Sequence, residues 1–150
     1  MRDNRMRNLT KFNIKTPANE VYEAFVDPTK IGNFWFSSSS ERWDKGKTIT
    51  VKYKEYNAQL DIEVLEIEIN KKIVFQWGAN GEGHVVSITL KEVDRSNTII
   101  EIVEDGFDEN DADFVNQMLD NKEGWVFMLS CLKGYLEFGV TQLRGGLVKD

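Results

Sequence analysis

The chain opens its regular pattern with a strand-length run from Leu9 to Ile14, followed by "TPANEVYEAFVDP", where Val21, Tyr22 and Phe25 recur at helical spacing. Thr16 is placed to cap that helix and Pro17 to occupy its first position, while Pro28 stops it. "TKIGNFWF" continues as a short helix ending near Phe34, and "SSSSERWDKGK" is the longest polar connection, read as a loop. From Lys47 to Gly106 the apolar period becomes two. Ile49, Val51 and Tyr53 share one face of a strand, and Leu60, Ile62 and Val64 share one face of the next. The phase then slips to Leu65, Ile67 and Ile69, which predicts a β-bulge near Val64 and Leu65 and a curved sheet. "KKIVFQW", "HVVSITLKEV" and "NTIIEIVEDGF" supply three further strands, with turns at "GANGEG" and "DRSN".

The last long element is predicted from Lys122 to about Phe138. Trp125, Met128, Leu129, Leu132, Tyr135, Leu136, Gly139 and Val140 fall on one side of a helix, and Phe127, Cys131 and Phe138 widen that side on one flank. An apolar arc of more than about 180° exceeds the usual stripe of roughly 100°, so the helix must lie in a groove. The preceding "DGFDENDADFVNQMLDNKEG" is acidic and carries a short amphipathic piece, read either as a helical lead-in or as a flap. This order gives an α+β fold with an antiparallel meander, and no repeat or linker divides residues 1–150 into more than a single domain. Either the sheet closes on the helix as packed core, or it stands off and leaves an apolar cavity.

Composition narrows the function. A net charge of −6 argues against nucleic acid, whose phosphates require a basic face. The single cysteine, Cys131, and the single histidine, His84, allow neither an internal disulfide framework nor a Cys/His zinc cluster, and no metal or cofactor is expected. The basic "MRDNRMRNLTKF" has no apolar stretch behind it, so neither a leader nor membrane insertion is expected and the cytoplasm is the expected compartment.

"EVYEAFVDPTKIGNFW", "EDGF" and "EGWVFMLSCLKGYLEFG" resemble three landmarks of the START-like (SRPBCC) superfamily, in particular its activator of heat-shock ATPase homologue (AHSA) branch. The resemblance runs from about Leu9 to Gly139. Its most specific part is Gly124, Trp125, Leu129, Leu132, Lys133, Tyr135, Leu136 and Glu137. It implies a helix-grip (START/Bet v-like) fold, a curved antiparallel sheet wrapped around a long C-terminal helix, often enclosing an apolar cavity. Members of that superfamily bind lipids, hormones or polyketides, act as cyclases or hydrolase-like enzymes, or, in the eukaryotic activator, stimulate a chaperone ATPase with the help of a further amino-terminal domain.

The residues themselves offer little catalytic machinery. Cys131 reads as a buried structural thiol. His84 shares strand phase with Val86, Ile88 and Leu90 and points either into the grip or into solvent at its strand end. Glu104, in phase with Ile100 and Ile102, is either a carboxylate at a pocket rim, able to orient a ligand or act as a base, or an exposed strand-end acid. Aromatic residues are the richer signal. Trp35, Phe36, Trp43, Tyr53, Phe75, Trp77 and Trp125 converge in the proposed fold, with Trp35 and Trp125 as candidate cavity walls. The expected ligand-binding set is Trp35, Tyr53, Trp77, His84, Glu104, Trp125, Met128 and Leu132, in a non-enzymatic binder of an apolar or amphipathic small molecule. The alternatives are a module contacting a chaperone or another protein, and then a cyclase or hydrolase-like enzyme.

Overall fold

The computed structural model describes residues 5–77 and 83–148. Its elements are β1 (Arg5–Ile14), α1 (Ala18–Val26), a 3-10 turn (Ile31–Asn33), β2 (Ser38–Ser39), β3 (Thr48–Tyr53), a second 3-10 turn (Lys54–Tyr56), β4 (Ala58–Glu68), β5 (Lys72–Trp77), β6 (His84–Asp94), β7 (Asn97–Asp108) and α2 (Phe114–Phe138). The strands form one seven-stranded antiparallel sheet in the order β1-β7-β6-β5-β4-β3-β2. The sheet curves around α2, as the helix-grip architecture requires. α2 packs against β1 and β7, and α1 against β6 and β7. The turn expected at "GANGEG" lies outside the described residues apart from Gly83.

Three register shifts interrupt the sheet, one of them between Glu92 and Asp94 at the turn end of the β6–β7 pair. In β4 the shift falls between Val64 and Glu66, where the sequence phase slips. Of the odd-numbered apolar residues beyond it, Ile67 packs on the core, while Ile69 is 73% exposed. The third shift lies across β1 and β7, where Met6 pairs with Phe107 and Arg7 with Asp105, so Gly106 is the extra residue. Its φ of +119° is a conformation that L side chains rarely adopt.

Both sheet edges are managed. β2 contributes Ser38 and Ser39 only, inside the serine run read as a loop. On the other edge α2 satisfies free groups of β1, because Lys122 donates to the Leu9 carbonyl at 2.5 Å and Lys133 to that of Asn13 at 2.8 Å. Asn8 in turn donates to the Met118 carbonyl at 3.1 Å, fixing the helix lengthwise.

The helices differ in detail from the sequence expectation. Pro17, not Thr16, is the N-cap residue of α1, and no side chain caps it. The short helix after Pro28 is a single 3-10 turn. α2 starts at Phe114 rather than Lys122, so the amphipathic piece read as a helical lead-in or a flap is the first part of the same helix, with Val115 and Leu119 exposed. At its other end the arc is narrower than expected, with Phe138 74% exposed. Gly139 ends α2 at φ +70°, its N–H reaching the carbonyls of Gly134 and Tyr135.

Candidate functional site

Between α2 and the sheet lies a cavity of about 390 Å³, lined chiefly by Trp35, Tyr53, Tyr56, Trp77, Trp125 and Phe127. Asp120, Asn121, Gly124, Met128 and Leu147 complete it. A larger depression of about 990 Å³ beside Ala18, Lys71 and Lys91 has a mixed, charged lining and lacks such a wall.

Each wall is placed by its local sequence. Asp27 accepts from the backbone N–H and hydroxyl of Thr29 at 2.8 and 2.7 Å, tightening the exit from α1, and these bonds hold its carboxyl below the usual range. The 3-10 turn follows and delivers Phe34 and Trp35 inward. Trp35 stacks on Phe36 at 4.4 Å between centroids and meets Phe25, Trp43, Phe75, Trp77 and Trp125 within 6.4 Å. Tyr53 ends β3, and the turn that carries Tyr56 closes on Asn57 at φ +50°. Trp77 ends β5 opposite His84, which begins β6. On α2, Asn121, Trp125 and Met128 succeed one another at helical spacing on the inward side.

Behind the indoles of Trp77 and Trp125 sits Glu104, 0% exposed. Its Oε1 accepts from Trp125 Nε1 at 2.8 Å and from Asn121 Nδ2 at 3.1 Å. Its Oε2 lies 2.8 Å from His84 Nδ1, 2.9 Å from Asn121 Nδ2 and 3.1 Å from Trp77 Nε1. Taking a carboxylate out of water costs several kcal/mol unless its lone pairs are satisfied. Here they are, by four side chains from three elements. Facing an acceptor-only carboxylate, His84 carries its proton on Nδ1. Gly106 makes room for that ring, since a Cβ there would come within 3.0 Å of His84 Cδ2.

The segment after α2 returns across the cavity. Tyr53 donates its hydroxyl to the Arg144 carbonyl at 2.9 Å, and Tyr56 donates to that of Leu147. The Arg144 side chain is buried. Its Nε donates to the Trp35 carbonyl at 2.6 Å, its Nη1 to Glu55 at 2.6 Å, and its guanidinium lies 4.8 Å from the Tyr53 ring centre. The same arginine holds the Glu55 carboxyl below its usual range. Burial pushes the Tyr53 hydroxyl up to about 12 and the Cys131 thiol up to about 11.

Of the residues expected to meet a ligand, Trp35, Tyr53, Trp77, Trp125 and Met128 line the cavity. Glu104 and His84 stand behind the wall, and the reading of Glu104 as an exposed strand-end acid is corrected by its complete burial. Leu132 belongs to the packed core. Cys131 is a buried thiol. Asn121, Tyr56 and Leu147 were not anticipated. Asn121 falls in the acidic lead-in, Tyr56 in a turn and Leu147 in a stretch without periodicity, so no pattern marked them. The described residues contain no group of His, Cys, Asp and Glu able to hold a metal, and no helix among them is long and apolar enough to cross a membrane.

Residues 15–137 match the family described as Activator of Hsp90 ATPase homolog 1-like protein. The chain belongs to this family. Among solved structures it is similar to the protein SSP2350 from Staphylococcus saprophyticus, with 51% identity over 91% of this chain and 95% of that one and a TM-score of 0.80. The Aha1 dimer from Colwellia psychrerythraea shares the fold at 22% identity, covering 89% and 98% of the two chains, with a TM-score of 0.77. DynU16, a protein of the dynemicin biosynthetic locus, does so at 23% identity and a TM-score of 0.78; 95% of this chain matches 50% of that one. No curated protein matches the chain. These comparisons show the family and the helix-grip fold.

Proposed function

We propose that residues 1–150 act as one domain that binds an apolar or amphipathic small molecule in the cavity between the curved sheet and α2, without chemical turnover. The observation that carries this reading is the cavity itself. Its volume of about 390 Å³ falls within the roughly 300–1,000 Å³ of small-molecule sites, and its wall is aromatic. A domain serving only as a protein-contact module has no use for such a space inside its core. Trp35, Tyr53, Trp77, Trp125 and Met128 form the contact surface in this reading, while Glu104 and His84 hold the indole wall in place. Glu104 and His84 thus stand behind that wall, and Asp120 is the one carboxylate on the described lining. A free thiol buried at Cys131 is compatible with a reducing cytoplasm as the working compartment.

The family description keeps a chaperone-type protein contact as the second reading. One observation favours it, since Val115, Leu119 and Val126 are exposed and fall within about 40° of one another around α2.

Native mass spectrometry of the protein from its own host, together with titration of anilinonaphthalene sulfonate, tests the first reading. A retained small-molecule mass, or one saturable dye site per chain competed by host extract, supports it. A bare protein mass together with no saturable dye site overturns it and moves the protein-contact reading ahead.

A further inference from the structure

The chain has four tryptophans, and three of their indole N–H groups are committed to the protein. Trp43 donates to Ser39 Oγ at 3.1 Å, and Trp77 and Trp125 donate to Glu104 at 3.1 and 2.8 Å. Trp35 is 5% exposed, yet its N–H has no acceptor among the described residues. Arg144 Nη2 is the one sealed side-chain nitrogen or oxygen there without a partner. The Trp35 N–H is therefore not sealed, and Trp35 is part of the cavity lining.

The other donor-bearing side chains on the described lining each have a partner. The hydroxyls of Tyr53 and Tyr56 go to backbone carbonyls, and the Asn121 amide goes to Glu104. Trp35 is thus the one side chain of the described lining whose donor nitrogen or oxygen has no partner. It is also held still, because its ring packs against Phe36, Trp43 and Trp125 and its carbonyl is gripped by Arg144 Nε.

We propose that the Trp35 indole N–H is the specificity-determining contact of this cavity, selecting aromatic ligands that present a hydrogen-bond-accepting oxygen over isosteric ligands that lack one. The inference rests on the binding reading above. An apolar guest that covers this N–H shuts out solvent and returns no acceptor, so a donor fixed in an aromatic wall penalises that guest.

Two isosteric probes test it: methyl naphthyl ketone, and isopropenylnaphthalene, in which a methylene replaces the carbonyl oxygen. By calorimetric titration the wild type is expected to bind the ketone about tenfold more tightly, the scale of one net hydrogen bond. Trp35→Phe should bring the two affinities within about twofold, while Trp43→Phe, whose indole lies off the cavity, should keep the preference. A preference absent from the wild type, or surviving Trp35→Phe, overturns the proposal while leaving the cavity reading intact. If neither probe binds the wild type, the cavity reading fails and the proposal with it. Should Trp35→Phe not fold, exchange of the indole protons in the wild type decides. The Trp35 proton should exchange fastest of the four and be slowed by the ketone alone. Protection equal to that of the Glu104-bonded indoles in the free protein overturns the proposal.

Discussion

Trp77 and Trp125 stack with ring centres 5.2 Å apart and planes inclined by 22°, and both turn their N–H groups onto the Glu104 carboxylate. One residue from the sheet and one from the helix are thereby bolted together through a charge that neither element could bury alone. The stack forms part of the cavity wall, so the geometry of the cavity depends on that carboxylate.

Glu104→Gln keeps the volume but replaces one acceptor oxygen by an amide donor facing indole and imidazole N–H groups. Leaving such groups unpaired in a dry site costs about 1–3 kcal/mol each. The expected loss of stability is about 2–4 kcal/mol by urea unfolding, with weakening of the near-ultraviolet circular dichroism of the tryptophan pair. A loss under about 1 kcal/mol with an unchanged spectrum would show that the carboxylate is not what holds the wall.

Gly124 lies on the cavity side of α2, and a Cβ built there meets nothing within 4 Å. Replacing a mid-helix glycine by alanine stabilises a helix by about 1 kcal/mol where space allows. Gly124→Ala is therefore expected to raise the unfolding midpoint, whereas Gly124→Leu, which projects into the cavity, should abolish saturable dye binding in a folded protein. Dye affinity indifferent to leucine at this position would place the site elsewhere.

Gly106 combines φ +119° with close approach to His84. An alanine there pays about 1–3 kcal/mol of backbone strain and pushes the imidazole off Glu104. Because His84 is the single histidine of the chain, its ring resonances report on this directly. Gly106→Ala should lower stability and move those resonances. An alanine variant as stable as the wild type, with the His84 signals in place, would contradict the bulge geometry.

Much of the fold was legible from periodicity. The phase slip at Val64 located a bulge, and the aromatic stripe of α2 located the gripped helix, because both are local patterns that one buried face imposes. Glu104 was legible only in part. Its phase with Ile100 and Ile102 pointed inward, but a carboxylate facing a core is stable only with donors, and those come from Trp77, His84, Asn121 and Trp125, 17 to 27 residues away. Such partners share no local pattern. The returning segment around Arg144 escaped for the same reason, being held by the Trp35 carbonyl, Tyr53, Glu55 and Tyr56 rather than by a repeat of its own.

Burial of Cys131 sets a pH limit on the fold. The thiol is raised from its ordinary value of 9.0 to about 11 because burial disfavours the thiolate. Below about pH 9 both folded and unfolded chains hold the proton, and the thiol leaves stability unchanged. Between about pH 9 and 11 the unfolded chain releases its proton while the folded one keeps it. Unfolding is then favoured, and stability falls as pH rises. A raise of this size corresponds to about 2–3 kcal/mol once pH passes the folded value. Tyr53, raised to about 12 by burial, acts in the same direction one step higher. Urea unfolding from about pH 8 to 11 should therefore show the wild type losing about 2 kcal/mol more than Cys131→Ala, whose profile lacks the thiol. Alkylation of the folded wild type at about pH 8.5 should stay slow for the same reason. Parallel profiles for the two proteins, or rapid labelling of Cys131 in the folded state, would mean that the thiol is not shielded beneath the helix.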